Sequence, residues 1–155
     1  MVRGTRRRRC RLRCSGYDAA RMRLIPFDRV DDTAFDLTID ALLARRGPPA
    51  RRQRNAVDLD ELDYGDTVYR FQDSGRLEEV TAQAPVLHLG AVAVPFGALQ
   101  AFVREQDLGC FERAGFTVSP ALGLAFVPGE PCWVTALARH CIDTWRALGE
   151  SGQAR

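Results

Sequence analysis

The stretch TVYRFQDSGRLEEVTA, residues 67–82, decides the fold. Residues 67–72 alternate, with Tyr69 and Phe71 on one face and Val68 and Arg70 on the other, the period of a half-buried strand. Asp73-Ser74-Gly75 is turn chemistry, and residues 77–82 return as the partner strand. The stretch LGLAFVPGEPCWVTA, residues 122–136, follows the same plan: a strand over 122–126, Pro128-Gly129 as a type II turn, and a return strand over 132–136. Superposed, the hairpins align Phe71 with Phe126, Gly75 with Gly129, and Val80-Thr81-Ala82 with Val134-Thr135-Ala136.

Working outward, each hairpin follows a helical segment. Thr33 and Asp36 stand at capping-box spacing, Gly47-Pro48-Pro49 is a stop, and Phe35, Ile39, Leu42 and Leu43 form an apolar stripe, so a helix is expected over 33–46. The second helix starts at Pro95, with Phe96, Leu99, Phe102 and Val103 as its stripe. An arginine- and proline-rich loop is expected up to Asn55, and residues 57–63 fit one helical turn or a short strand. Residues 86–94 suit a buried strand or two short ones split at Gly90, and a short helical piece is expected over 110–114, ending at Gly115. From Val134 to Leu148 a helical period runs unbroken, but the repeat requires a strand to Ala136; a final helix is therefore expected over 138–148. The pattern reads as a duplicated helix-plus-hairpin unit, with halves at about 22–90 and 91–150. The expected class is α+β: a two-layer domain of antiparallel sheet with helices on one face.

The chain has 155 residues, 46% apolar and 27% charged, as in ordinary globular domains. No run approaches the roughly 20 apolar residues of a membrane-spanning helix. All 22 basic residues are arginine, which excludes Schiff-base chemistry and a P-loop lysine. Residues 1–21 hold eight arginines against Asp18, a net of +7, whereas residues 22–155 hold 14 arginines against 19 acids, a net of −5. The basic segment lacks apolar periodicity and an apolar signal core. It is expected to be disordered, with translation of the folded body beginning at Met22. Its other reading is a basic arm for nucleic acid. Outside it stand Cys110, Cys132 and Cys141 without CxxC spacing, which suits reduced thiols and a cytoplasmic setting.

No nucleotide cradle or nucleophile elbow is present, and neither cofactor nor metal is expected. Cys110, Cys132, His140 and Cys141 lack metal-ligand spacing, and His88 lies within an apolar strand. Cys132, His140 and Asp143 are the residues from which a thiol nucleophile, base and orienter would be assembled, with His140 and Asp143 at i, i+3. The densest feature is Asp58, Asp60, Glu61, Asp63 and Asp66 around Tyr64. Such a run is either a solvated loop or an acidic docking patch for a basic partner, with Tyr64 and Trp133 as aromatic anchors.

The segment Tyr69-Arg70-Phe71-Gln72-Asp73-Ser74-Gly75-Arg76-Leu77-Glu78-Glu79-Val80, with the strand over 122–126, resembles the hairpins of two related groups. One is the β-lactamase inhibitory protein family, built of tandem helix-plus-hairpin units. The other is the broad class of small bacterial immunity proteins that neutralise secreted toxins. The resemblance implies a non-catalytic, cytoplasmic binding protein that occludes a toxin-like partner, and it carries over no functional residue. The alternatives are a small enzyme using Cys132 or His140, and a nucleic-acid-associated protein acting through the basic arm. Neither nucleic acid nor membrane is the expected partner.

Overall fold

The structure is a computed structural model that describes residues 21–148. The basic segment lies outside the described residues except for Arg21, which opens the first strand. Among the described residues the architecture is α+β, with three helices and two largely antiparallel sheets.

The smaller sheet holds β1 (Arg21–Ile25), β2 (Arg29–Val30), β3 (Thr33–Ala34), β8 (Val86–Leu89) and β9 (Val92–Pro95), in the order β3-β2-β1-β8-β9. In β1 the alternation buries Met22 and Leu24 and exposes the residues between them. The strand runs parallel to β8, with Met22 opposite Leu87. The chain turns between β8 and β9 at Gly90, whose φ is 61°. The larger sheet has the order β10-β11-β12-β13-β7-β6-β5-β4. It comprises β4 (Arg51–Arg54), β5 (Asp60–Asp63), β6 (Thr67–Phe71), β7 (Leu77–Gln83), β10 (Phe111–Arg113), β11 (Phe116–Ser119), β12 (Leu124–Phe126) and β13 (Trp133–Leu137).

This order is two four-strand meanders joined back to back. Helix α1 (Ile39–Arg46) precedes β4–β7, and α2 (Phe96–Gln106) precedes β10–β13. The seam is the antiparallel pair β7–β13, where Thr81 faces Thr135, Ala82 faces Val134 and Val80 faces Ala136. The two matching tripeptides therefore lie against each other about a local two-fold. The register shifts one expected equivalence. Val80 faces Tyr69 and Val134 faces Phe126, so Phe126 corresponds to Tyr69, while Phe71 lies past a bulge opposite Leu77.

Three local expectations are corrected, and one open alternative is decided. Thr33 pairs with Val30 in β3, which withdraws it from the helix. The cap is instead Thr38, whose hydroxyl accepts from Ala41 N at 3.2 Å, and Asp40 and Arg45–Arg46 sit at the ends the helix dipole favours. The arginine-rich segment before Asn55 is not loop but edge strand β4, exposed along its whole length and so lacking any apolar alternation. Residues 60–63 form strand β5, the second of the two forms expected for 57–63, because their backbone pairs with β4 and β6 on both sides. Residues 111–113 form strand β10. Ala114 and Gly115 both have positive φ (50° and 85°) and close a two-residue hairpin onto β11.

Strand alternation divides the interior. Leu62, Tyr69, Leu77, Val80, Leu124, Phe126 and Val134 join α1, α2 and the smaller sheet in the main core, where the Phe96 and Phe126 rings meet edge to face at 5.9 Å. Val118, Ala125 and Leu137 pack with Cys141 and Ile142 of α3 (Cys141–Ala147) in a second cluster. Leu137 and Val134 are on opposite faces of one strand, so the single helical layer expected from the sequence is divided. Helices α1 and α2 serve one cluster, and α3 the other.

Candidate functional site

The acid run folds into a charge ladder. Asp60 receives Arg52 at 3.0 and 2.6 Å through both carboxylate oxygens, and Glu61 receives Arg70 Nε at 2.9 Å. Asp63 lies 3.8 Å from Arg51, Asp58 lies 3.5 Å from Arg54, and Asp66 lies 3.1 Å from Arg46. Arg54 also pairs with Asp73. Tyr64 is not an exposed anchor. Its hydroxyl donates to Gly47 O at 2.9 Å, and Arg46 lies over its ring at 4.5 Å, so it fastens the end of α1 to the sheet. Every carboxylate of the run faces an arginine, so the residues weighed as a solvated loop or an acidic docking patch form a set of ion pairs.

The thiol triad does not form either. Cys132 packs against the main core, and its carbonyl accepts from Ala84 N. Asp143, with its side chain 92% exposed, lies 3.7 Å from Arg146. Among the described residues no hydrogen bond joins Cys132, His140 and Asp143. His88 is half-buried on β8 opposite Arg23.

What the fold does assemble is a concavity of about 450 Å³ over the seam, on the face of the larger sheet opposite the main core. Its walls are Phe116, Pro131, Trp133 and Trp145, with the Phe116 and Trp145 rings 5.1 Å apart and tilted by 65°. Its floor is polar. The Thr81 and Thr135 hydroxyls lie 2.8 Å apart, Arg70 Nη1 donates to Thr81 at 2.7 Å, and Trp145 Nε1 donates to Glu79 Oε1 at 3.1 Å. Burial raises the Glu79 pKa above the ordinary carboxylate range, and Glu78 adds to the rise; Arg70 and the Trp145 indole oppose it without cancelling it. A carboxylate that is costly to ionise beneath three aromatic rings is a place where a cation is stabilised. Strand parity could have suggested this floor, since Arg70, Glu79, Thr81, Trp133 and Thr135 all occupy non-core positions. The missing information was that β7 pairs with β13.

A second cluster lies where α3 meets β7. Glu78, 5% exposed, receives Arg76 Nε on Oε1 at 3.1 Å and the Cys141 thiol on Oε2 at 2.8 Å. His140 Nε2 is 2.6 Å from the same Oε2. Burial and the Glu78 carboxylate hold the Cys141 thiol far above its usual range. His140 and Cys141 were weighed in the sequence as ligands beside Cys110 and Cys132. The fold brings neither of those cysteines, and it brings Glu78 instead.

No protein-family model, curated protein or solved structure matches the chain, so its functional reading rests on this geometry.

Proposed function

We propose that this protein is a non-catalytic protein-binding module of inhibitor or immunity type, and that it takes a basic side chain of its partner into the aromatic concavity over the β7–β13 seam. The observation that carries this reading is the largely enclosed Glu79 carboxylate beside Phe116, Trp133 and Trp145. Arg70 does not neutralise the floor, because its guanidinium is already shared between Glu61 and Glu79, and Glu130 adds a further carboxylate to the lining. Aromatic walls supply apolar area and cation–π attraction, and the carboxylate supplies the charge that selects arginine or lysine. A guanidinium or ammonium group inserted there would act as the partner's buried anchor, with the surrounding surface excluding water from it.

The chain has two tryptophans, and both line this concavity, so intrinsic fluorescence reads the site directly. Short end-blocked peptides carrying arginine or lysine are titrated against the full chain, with glutamate and glutamine peptides as controls. Basic peptides should change the emission saturably, and Glu79→Gln should weaken that response about tenfold or more while leaving the thermal transition in place. Equal responses to acidic and basic peptides, or no response to either, would overturn the assignment.

A further inference from the structure

We infer that Glu78, His140 and Cys141 form a three-ligand site for a zinc-class divalent cation. One ligand atom from each residue lies within 4.8 Å of the other two, and the set comprises a carboxylate oxygen, an imidazole nitrogen and a thiol sulfur. These are the three donor types that zinc takes, at about 2.0–2.3 Å each. The arrangement of the donors is oriented. Arg76 occupies Glu78 Oε1, which leaves Oε2 as the single oxygen turned toward His140 and Cys141. The Glu78 backbone carbonyl also accepts from Ala138 N at 2.9 Å, so the start of α3 is tied to the strand that carries the carboxylate.

The decisive observation is His140 Nε2. It is buried and has no hydrogen-bond partner, although Glu78 Oε2 is 2.6 Å away. The contact lacks the angles of a hydrogen bond, so the ring nitrogen is left without a partner beside an oxygen that accepts only from the Cys141 thiol. A cation among the three atoms satisfies all of them at once. Tetrahedral coordination needs ligand atoms about 3.3–3.7 Å apart, from the bond lengths above. The two short separations must therefore open by about 1 Å or less. The His140 side chain, a third exposed, has room for that shift. A concavity of about 300 Å³ between Leu59 and Trp145 is lined by Glu78 and Cys141, though not by His140, and is the side from which water or an incoming ligand would supply a fourth donor. Three protein ligands with one open position is the pattern of a zinc site that can take an exogenous group.

The test uses the full chain with zinc alone, and with cobalt(II) as its spectroscopic substitute. Cys10 and Cys14 are changed to serine throughout so that they cannot contribute a competing site. The expected result is one equivalent of zinc per chain, a rise in melting temperature with zinc concentration, and a thiolate-to-cobalt charge-transfer band. His140→Gln keeps the buried carboxylate and thiol, and its fold is checked by its thermal transition. It should weaken zinc binding by more than the ~100-fold that loss of an outer hydrogen-bond partner costs. Cys141→Ser should abolish the charge-transfer band. Absence of the band in the parent protein, or unchanged affinity in a folded His140→Gln protein, would overturn the assignment.

Discussion

The two meanders share a topology and differ in what their outer strands carry. In the first, β4 and β5 set Arg51 and Arg52 against Asp63 and Asp60, and Arg54 pairs with Asp58 of the turn between them, a ladder of exposed or half-exposed ion pairs at the sheet edge. In the second, β10 and β11 bear Phe111 and Phe116, and these pack with Trp145 of α3 into the second cluster. The edge of one meander carries paired charge, a way of blocking further strand addition, and the corresponding strands of the other turn aromatic rings toward a helix. The comparison also shows why the concavity lies over the seam. Only there does the polar parity of the first meander, Arg70 and Glu79, meet the aromatic parity of the second, Trp133 and Phe116.

The largest expected effect tests whether the two hairpins contribute equally to the core, although Phe126 corresponds in register to Tyr69 and not to Phe71. Phe71 and Phe126 are 0% and 1% exposed. Truncation of either to alanine should cost about 3–5 kcal/mol in chemical denaturation. A cost below about 1 kcal/mol at one site alone would show that the halves carry unequal cores.

An intermediate effect concerns pH. The Glu79 pKa is raised on folding, so the folded state holds its proton to a higher pH than the unfolded state does. Stability from this group is present below the ordinary carboxylate range and falls as pH rises through the folded value. Relative to Glu79→Gln, the parent protein should lose stability as pH rises through that window, read from melting temperatures. Asp107, in the second half, behaves in the opposite sense. Burial would raise its pKa, but bonds from Ala121 N, the Ser119 hydroxyl and Gly109 N outweigh that and lower it. Its stabilisation should persist above the ordinary range and disappear as pH falls through the folded value. Parallel pH profiles for Glu79→Gln and Asp107→Asn would break the contrast between the two groups.

The smallest effect is at the charged edge. Arg52 and Asp60 form a two-pronged pair, with the arginine side chain 47% exposed. Arg52→Ala should cost under about 1 kcal/mol and less still in high salt. A larger loss would mean that the ladder holds the edge strand in place and does not merely solubilise it.

By itself the sequence determined the hairpins over 67–82 and 122–136, the second helix and the α+β class, because alternation, turn glycines and helical stripes are local signals. It also carried the matching tripeptides Val80-Thr81-Ala82 and Val134-Thr135-Ala136. Only the tertiary structure decided that these lie against each other, since strand pairing across more than fifty positions is set by which apolar faces can be buried together. The same limit applied to chemistry. The acid run was conspicuous in one dimension, but the arginines that neutralise it come from β4, β6 and α1. Conversely, Glu78 gave no sign of being a ligand, because its partners stand some sixty residues away and reach it only when α3 docks on β7. Charge density is legible along a chain; charge balance and ligand geometry depend on neighbours that folding alone supplies.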